Sequence, residues 1–192
     1  MNFLAHIYLA SKTDHSIVGS ILPDLCKPNE WRLLDDKIIK GCLMHQRVDK
    51  LTDNHPSFVL LKNTISDKRR RFAGIILDVA FDHILAKNWS QWHTESLELF
   101  TQDCNIHLLS EINNLSKPGQ KVLNAMVQGN WLYGYQHIEG IARAFSGLSR
   151  RFRFENPLAG SEEELLENME LWSQEFEKVM NDLIIHNYSD LA

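Results

Sequence analysis

The sequence predicts an all-α fold, and three observations point to it. Nine glycines and five prolines make up about 7% of the 192 residues, against roughly 12% in average proteins, so turns are scarce. Apolar residues recur at helical spacing, and no segment has the two-residue alternation of a strand. With 44% apolar and 23% charged residues, we expect one compact helical bundle, a single domain spanning residues 1–192.

Five helices are predicted in the first half of the chain. Residues 2–11 form a short helix behind Asn2, and Ser16 caps a second short helix. Pro23 and Pro28 break this pattern and leave Asp24 in the break. The other helices of this half are expected at about residues 35–53, 57–66 and 69–88.

The second half begins with a predicted helix over residues 94–114 and a turn at residues 117–119. Residues 120–147 form a helical stretch that its glycines interrupt. The last helix is the clearest, because Ser161 and Glu164 have the spacing of a capping box. Its apolar residues repeat every three or four positions as one core-facing stripe, formed by Leu165, Met169, Trp172, Phe176, Val179 and Leu183.

The charge of the chain is unevenly distributed. Residues 159–192 hold nine acidic side chains and one lysine, so the net charge of −5 becomes +3 over residues 1–158. A dedicated nucleic-acid-binding protein would be far more basic, but a local basic patch could still meet an acidic partner. Three scattered cysteines argue against a zinc ribbon or a disulfide framework. Without a signal-peptide pattern or a long apolar stretch, we expect a cytoplasmic protein that binds no membrane.

The strongest candidate for a functional site lies in the apolar segment IILDVAFDHIL, residues 75–85. Asp78 and Asp82 are one helical turn apart on the same face, and His83 follows directly. Buried carboxylates are costly unless they are paired or bind a metal, and like charges one turn apart repel each other. The pattern therefore predicts a positively charged partner.

A second group of candidate ligands lies in MHQRVDKLTDNH, residues 44–55, where His45, Asp49 and Asp53 follow at successive helical turns. His6 and Asp24 add to this group. Each residue alone is also explained as a core histidine, a hydrogen-bonded pair or a helix cap. Imidazole and carboxylate ligands without thiolates suit Mn²⁺, Mg²⁺ or Fe²⁺ better than a structural zinc.

Two basic clusters are candidates for contacting an acidic ligand, although solvated surface charge explains either one equally well. The first precedes Asp78 and the second lies in a predicted loop before Pro157. Cations at a helix N-terminus oppose the helix dipole, which favours a role beyond stability for the first cluster. Most of the aromatic residues around Tyr135 are expected in the core, and some of them are candidates for lining a groove for a thin substrate arm. The first cluster consists of Lys68, Arg69, Arg70 and Arg71, and the second of Arg150, Arg151 and Arg153.

Four segments of the chain resemble the acyl carrier protein phosphodiesterases, also called acyl carrier protein hydrolyases. The resemblance implies a metal-dependent phosphodiesterase, usually supported by Mn²⁺, that removes the 4′-phosphopantetheine arm from holo acyl carrier protein. The family is regarded as a divergent branch of the HD phosphohydrolases, although Asp82-His83 reverses their usual His-Asp order. The segments are NFLAH at 2–6, residues 19–24, MHQRVDKLTDN at 44–54 and LDVAFDHILAKNW at 77–89.

The resemblance and the residue types together give a set of expected roles. The expected metal ligands are His6, His45, Asp78 and Asp82. The expected catalytic residues are Asp24, Asp49 and His83. The expected docking residues for the acidic carrier protein are Arg69, Arg70, Arg71, Arg150 and Arg151. Two alternatives stay open at this point: an HD-type phosphohydrolase that acts on a nucleotide, and a non-catalytic helical module that binds the carrier protein.

Overall fold

The structure is a computed structural model that describes the backbone of residues 1–188 and the side chains through residue 186. This part of the chain contains α-helices, short 3₁₀ segments and no strand, which confirms the all-α prediction. None of its helices combines the length and the apolar character of a membrane span. Residues 189–192 of the predicted domain lie outside the described part. The helices are α1 (Phe3–Ser11), α2 (Leu22–Leu25), α3 (Pro28–Trp31), α4 (Asp36–Asn54), α5 (Pro56–Lys62), α6 (Ala73–Lys87), α7 (Leu97–Ser110), α8 (Lys117–Gln128), α9 (Trp131–Gly134), α10 (Ile138–Ser149) and α11 (Glu162–Tyr188).

Helix α6 is the centre of the fold. Eleven of its fifteen residues are buried, because the sequence is apolar around nearly the whole helix. It packs against α1, α5, α10 and α11, so helices from both ends of the chain meet around it. Phe81 of α6 makes edge-to-face contacts with Phe58 of α5 and with Phe176 of α11.

Helix α11 follows the predicted apolar stripe but not the predicted cap. Five of the six stripe residues are buried, and the sixth is packed against the core. The capping box is wrong, because the Ser161 hydroxyl donates to the carbonyl of Pro157. The Glu164 carboxylate instead accepts from the backbone N–H and the hydroxyl of Ser66. The two donors of Ser66, a residue distant in sequence, thus replace the one backbone N–H of the N-cap residue that a capping box would offer to Glu164.

Prolines start helices in this fold where the sequence predicted breaks. Pro23 and Pro28 lie in the first turns of α2 and α3, and Pro118 lies in the first turn of α8. Proline suits this position, since its fixed φ is helical and its missing N–H would have had no helical partner. The expected break at Pro23 and the turn at 117–119 are therefore wrong, and Asp24 lies inside α2. The interruptions around Gly129 and Gly134 are confirmed.

Two glycines allow the turn before α2 to lie against α4. A Cβ atom on Gly19 would come within 2.9 Å of the Gly41 Cα atom, and one on Gly41 would lie 2.8 Å from the Ser16 carbonyl oxygen. Real Cβ atoms do not approach other atoms this closely, so both positions require glycine. The close approach brings Ser20, at the end of this turn, to the side of α4 that bears His45.

Candidate metal centre

Three side chains from two helices converge beside the buried face of α6. His6 lies on α1, and His45 and Asp49 lie one turn apart on α4. The Nε2 atoms of His6 and His45 are 3.0 and 3.1 Å from the Asp49 carboxylate oxygens. One ligand atom from each residue lies within 4.8 Å of the others, and among the described residues this is the only such group. Two imidazoles and a carboxylate at this spacing can hold a divalent cation.

The backbone sets the orientation of His45. Its Nδ1 atom is 2.7 Å from the carbonyl oxygen of Ser20, and a carbonyl only accepts, so Nδ1 carries the proton. In the neutral ring the lone pair is therefore on the Nε2 atom, which lies 3.1 Å from Asp49. Metal-binding histidines are commonly fixed in this way by a backbone carbonyl. The turn held by Gly19 and Gly41 thus supplies the group that orients this ring.

His6 is completely buried and has the properties of a ligand rather than of a hydrogen-bonded core histidine. Neither of its ring nitrogens has an aligned hydrogen-bond partner among the described residues. Its ring stacks on that of His45 with 3.9 Å between the centroids. Burial lowers the pKa of His6 to about 3, so the ring is neutral at neutral pH. Its Nε2 atom lies 3.0 Å from the Asp49 carboxylate, and a buried, neutral imidazole in this position fits a metal ligand.

The carboxylate at the centre of the group is a permanent negative charge. Burial by itself would raise the pKa of Asp49, but the rings of His45 and His6 and the α-amino group of Met1 hold it far below its usual range. Burial also lowers the pKa of His45, yet Asp49 and Asp24 outweigh this effect and raise it. The centre therefore favours a positive charge, whether that charge is a proton or a metal ion.

The α-amino group of Met1 already provides one cation at the edge of the centre. Its nitrogen lies 3.0 Å from carboxylate oxygens of both Asp49 and Asp78. Burial alone would lower the pKa of this amino group, but the negative charges of Asp78 and Asp49 have the larger combined effect and raise the pKa to about 11. The sequence predicted a positively charged partner for Asp78, and the structure provides one in the α-amino group of Met1. Asp78 is not one of the three residues whose ligand atoms are grouped together.

Asp24 lies next to the centre and faces the solvent side. Its carboxylate is 3.8 Å from His45 Nε2 and about 40% exposed. Burial raises its pKa above the usual value, and the charge of His45 opposes the rise. Asp24 lies within the short helix α2 and not in a loop, and its side chain extends from this helix toward His45. A carboxylate with a raised pKa in this place can accept a proton.

Asp82 has a structural role that the sequence did not predict. It is fully buried, and its two oxygens accept the backbone N–H groups of Leu4 and Ala5 at 2.8 and 2.9 Å. These N–H groups belong to the first turn of α1, where the helix offers no acceptor of its own. Burial raises the pKa of Asp82 to about 7, and the two N–H groups oppose the rise. The expected metal ligand is thus the cap of α1, and it fixes the helix that bears His6.

His83 and Asp53 are also absent from the group of ligand atoms. The Nδ1 atom of His83 donates to the carbonyl of Tyr135 at 2.7 Å, and burial lowers its pKa. This residue connects α6 to the segment after α9. Asp53 is exposed and pairs with Lys62 at 3.3 Å. A helical turn has 3.6 residues, so a stripe with four-residue steps winds around the helix, and by its third position the side chain points away from the centre.

The first basic cluster is mostly occupied by contacts within the protein. Arg69 is buried, and its guanidinium donates to the backbone carbonyls of Pro157 and Gly160 and to Glu164. It fixes the loop before α11, and because its guanidinium already has partners within the protein, it is a poor candidate for the expected docking role, which stays a prediction. The two remaining arginines are exposed and lie in a 3₁₀ turn before α6: Arg70 pairs with Asp67 at 2.8 Å and Arg71 lies over the ring of Phe154.

A cavity of about 840 Å³ opens beside the centre, between α6 and α10. Asp24, Asp78 and Met1 form its wall on the side of the centre. The opposite wall comes from α10 and the residues that follow it, including Arg150 and Arg151 of the second basic cluster. Ligand sites commonly have volumes of roughly 300–1,000 Å³, so the cavity is large enough for a small molecule.

Several residues of this region were missed at the sequence level. Asn2 donates to the Tyr135 hydroxyl at 3.4 Å, and both line the cavity together with Arg143. Arg143 had no basic neighbours to mark it, and an asparagine at a helix start is explained by capping alone. The aromatic cluster around Tyr135 was the single available signal, and it could not indicate which ring faces the cavity.

Comparison with known proteins gives one consistent result. A family described as acyl carrier protein phosphodiesterase matches residues 1–183. A protein of that name from Serratia proteamaculans (strain 568) is 36% identical over 163 residues, which is 84% of each chain. Its counterpart in Photorhabdus laumondii is 33% identical over 162 residues, 84% of this chain and 82% of the other. One from Escherichia coli O6:H1 is 30% identical over 152 residues, 79% of each chain. No solved structure gives a significant match, so the expected likeness to HD phosphohydrolases stays a prediction.

Proposed function

The chain belongs to the acyl carrier protein phosphodiesterase family, and from this premise we propose that its substrate is holo acyl carrier protein. As a hydrolase it breaks a phosphodiester bond. In the proposed reaction, water attacks phosphorus, the bond from phosphorus to the serine oxygen of the carrier breaks, and that oxygen takes up a proton. The products are 4′-phosphopantetheine and the apo carrier protein with a free serine hydroxyl.

The observation that supports a metal-dependent reaction is the convergence of His6, His45 and Asp49, with the buried Nδ1 atom of His6 unpartnered among the described residues and its Nε2 atom 3.0 Å from Asp49. We propose these three residues as ligands of a divalent cation, with Mn²⁺ as the first choice and Mg²⁺ or Fe²⁺ as alternatives. Such an ion would neutralise charge on a phosphoryl oxygen and lower the pKa of a bound water. His6 is neutral, and a cation bound at His45 Nε2 would displace the proton that Asp49 and Asp24 favour there.

Asp24 is the proposed proton acceptor for the attacking water. It lies at the cavity wall, 3.8 Å from His45 Nε2, and its raised pKa brings it closer to neutral pH than an ordinary carboxylate. A general base is most effective when its pKa approaches the working pH. The ammonium group of Met1, between Asp49 and Asp78, adds a fixed positive charge that attracts the phosphodiester.

The deciding experiment is a mass measurement of purified holo acyl carrier protein after incubation with the enzyme. With Mn²⁺ we expect loss of the phosphopantetheine mass, and with a chelator we expect no change until Mn²⁺ is restored. Nucleotides incubated with the same preparation serve as the control. Cleavage of nucleotides alone would favour the nucleotide phosphohydrolase, and metal-independent carrier binding without cleavage would favour the non-catalytic module.

The second basic cluster is the proposed docking site for the acidic carrier protein. Arg150 and Arg151 are exposed, line the cavity mouth and pair with no carboxylate among the described residues. By contrast, Arg70 is paired with Asp67. Opposite charges steer association and act mainly on the rate of encounter. The cluster that lies beside the cavity is therefore the better candidate of the two.

Charge-reversal variants test which of the two basic clusters binds the carrier protein. We expect Arg150→Glu with Arg151→Glu to raise KM for holo carrier protein by about tenfold or more, because docking energy is shared by ground and transition states. The matched variant, Arg70→Glu with Arg71→Glu, should raise KM less. Steady-state kinetics at 0.1 M and 1 M salt measure both effects, since the Debye length falls from about 10 Å to about 3 Å. A larger effect of the Arg70 and Arg71 pair would move the docking site to the first cluster.

A further inference from the structure

We infer that the cavity along α10 is the binding site of the phosphopantetheine arm and that Gly147 keeps this site open. The inference rests on the proposed function and adds to it the place and the residues that receive the arm. The arm is a slender chain with amide groups, almost uncharged along its length, and with a phosphate at one end. A site for it needs a narrow channel, a few polar groups and a cationic end beside the reacting centre.

One face of α10 supplies the channel wall. Gly140, Ala144 and Gly147 are spaced by four and three residues, so they lie on the same side of the helix, and all three line the cavity. Ala144 and Gly147 leave free the space that larger side chains would fill, whereas Gly140 makes room for the backbone of α9. The other walls include Trp131 and Phe152, whose flat apolar surfaces suit the methyl and methylene groups of such a chain.

The glycines of α10 differ in what they do for the fold. A Cβ atom on Gly140 would collide with the carbonyl of Gly134, so this glycine lets α9 approach α10. A Cβ atom on Gly147 would meet nothing within 4 Å. Glycine inside a helix costs about 1 kcal/mol relative to alanine, and at position 147 no contact within the described protein requires it. Open space kept at this cost indicates room for a ligand.

Cationic side chains line the cavity on the side away from the metal centre. Arg143, Arg150 and Arg151 line it, and none of the three forms an ion pair with a described carboxylate. The Met1 ammonium lines the same cavity on the side of the metal centre, so cationic groups lie on both sides of it.

A size series at position 147 tests the inference. We expect 4′-phosphopantetheine, titrated by calorimetry, to bind progressively more weakly to Gly147→Ala, Gly147→Leu and Gly147→Trp, with a loss of at least about tenfold for tryptophan. The kcat/KM for holo carrier protein should fall in the same order. Gly74→Trp is the matched control, because a Cβ atom at Gly74 meets only the end of the Lys62 side chain, at 3.9 Å, and this glycine does not line the cavity.

The two proposals fail in different ways. If the wild type leaves holo carrier protein intact but binds phosphopantetheine, and Gly147→Trp does not bind it, the proposed function fails and the arm site stands. If Gly147→Trp binds phosphopantetheine and turns over the carrier as Gly74→Trp does, the arm site is wrong. Thermal melting checks that each variant is folded, and if Gly147→Trp melts early, Gly147→Leu against wild type decides in its place.

Discussion

Replacing Asp49 with asparagine is expected to lower kcat/KM for holo acyl carrier protein by at least about a thousandfold. Asp49 lies within 3.0–3.1 Å of both histidine Nε2 atoms and carries the only charge among the three proposed ligands. Metal-assisted stabilisation of a reacting phosphoryl group contributes several kcal/mol, and each 1.36 kcal/mol is a factor of about ten in rate. Asparagine keeps the shape of the side chain but removes its charge.

Asp53→Asn is the matched control for this result. Asp53 lies one turn further along α4, but it is exposed and paired with Lys62, so its variant should keep nearly normal activity. Titration of both variants with Mn²⁺ gives a readout independent of turnover, and only Asp49→Asn should lose affinity. Equal losses in the two variants, or retained activity in Asp49→Asn, would show that the centre is not where the reaction occurs.

Replacing Asp82 with alanine is expected to destabilise the fold by about 3 kcal/mol. The change leaves two buried N–H groups at the start of α1 without an acceptor, and each such group costs about 1–3 kcal/mol. For a chain of this length that loss lowers the melting temperature by roughly 6–12 °C. Activity should fall as well, since α1 positions His6.

Asp78→Ala provides the comparison, one turn earlier on the same helix. Asp78 is partly exposed, and the Met1 ammonium that it contacts keeps Asp49 as a second partner. Its removal should therefore change the free energy of unfolding by less than about 1 kcal/mol. Chemical denaturation of both variants without added metal measures the difference. A stable Asp82→Ala variant would mean that α1 is held by its apolar contacts alone.

The sequence was sufficient for the helices that have a strong apolar period. The stripe on α11, the apolar character of α6 and the bounds of α4 follow from local spacing, because burial of one face dictates where apolar residues recur. The prolines and the capping box were harder. A proline ends a helix when it lies in the helix interior and begins one when it lies in the first turn, and the sequence around Pro23 and Pro118 did not distinguish these cases. The hydrogen-bond donors to Glu164 belong to Ser66, which is nearly a hundred positions away in the chain.

The sequence also determined which residues are available for chemistry, and the family resemblance was visible in four of its segments. Only the tertiary structure decided how these residues are divided between roles. Asp78 and Asp82 lie on the same helix face and looked equivalent, yet one meets an ammonium group and the other caps α1. Helical periodicity reports the direction of a side chain from its own helix axis, whereas its partner depends on which helix end packs opposite. That is fixed by packing between distant segments, and no local pattern records it.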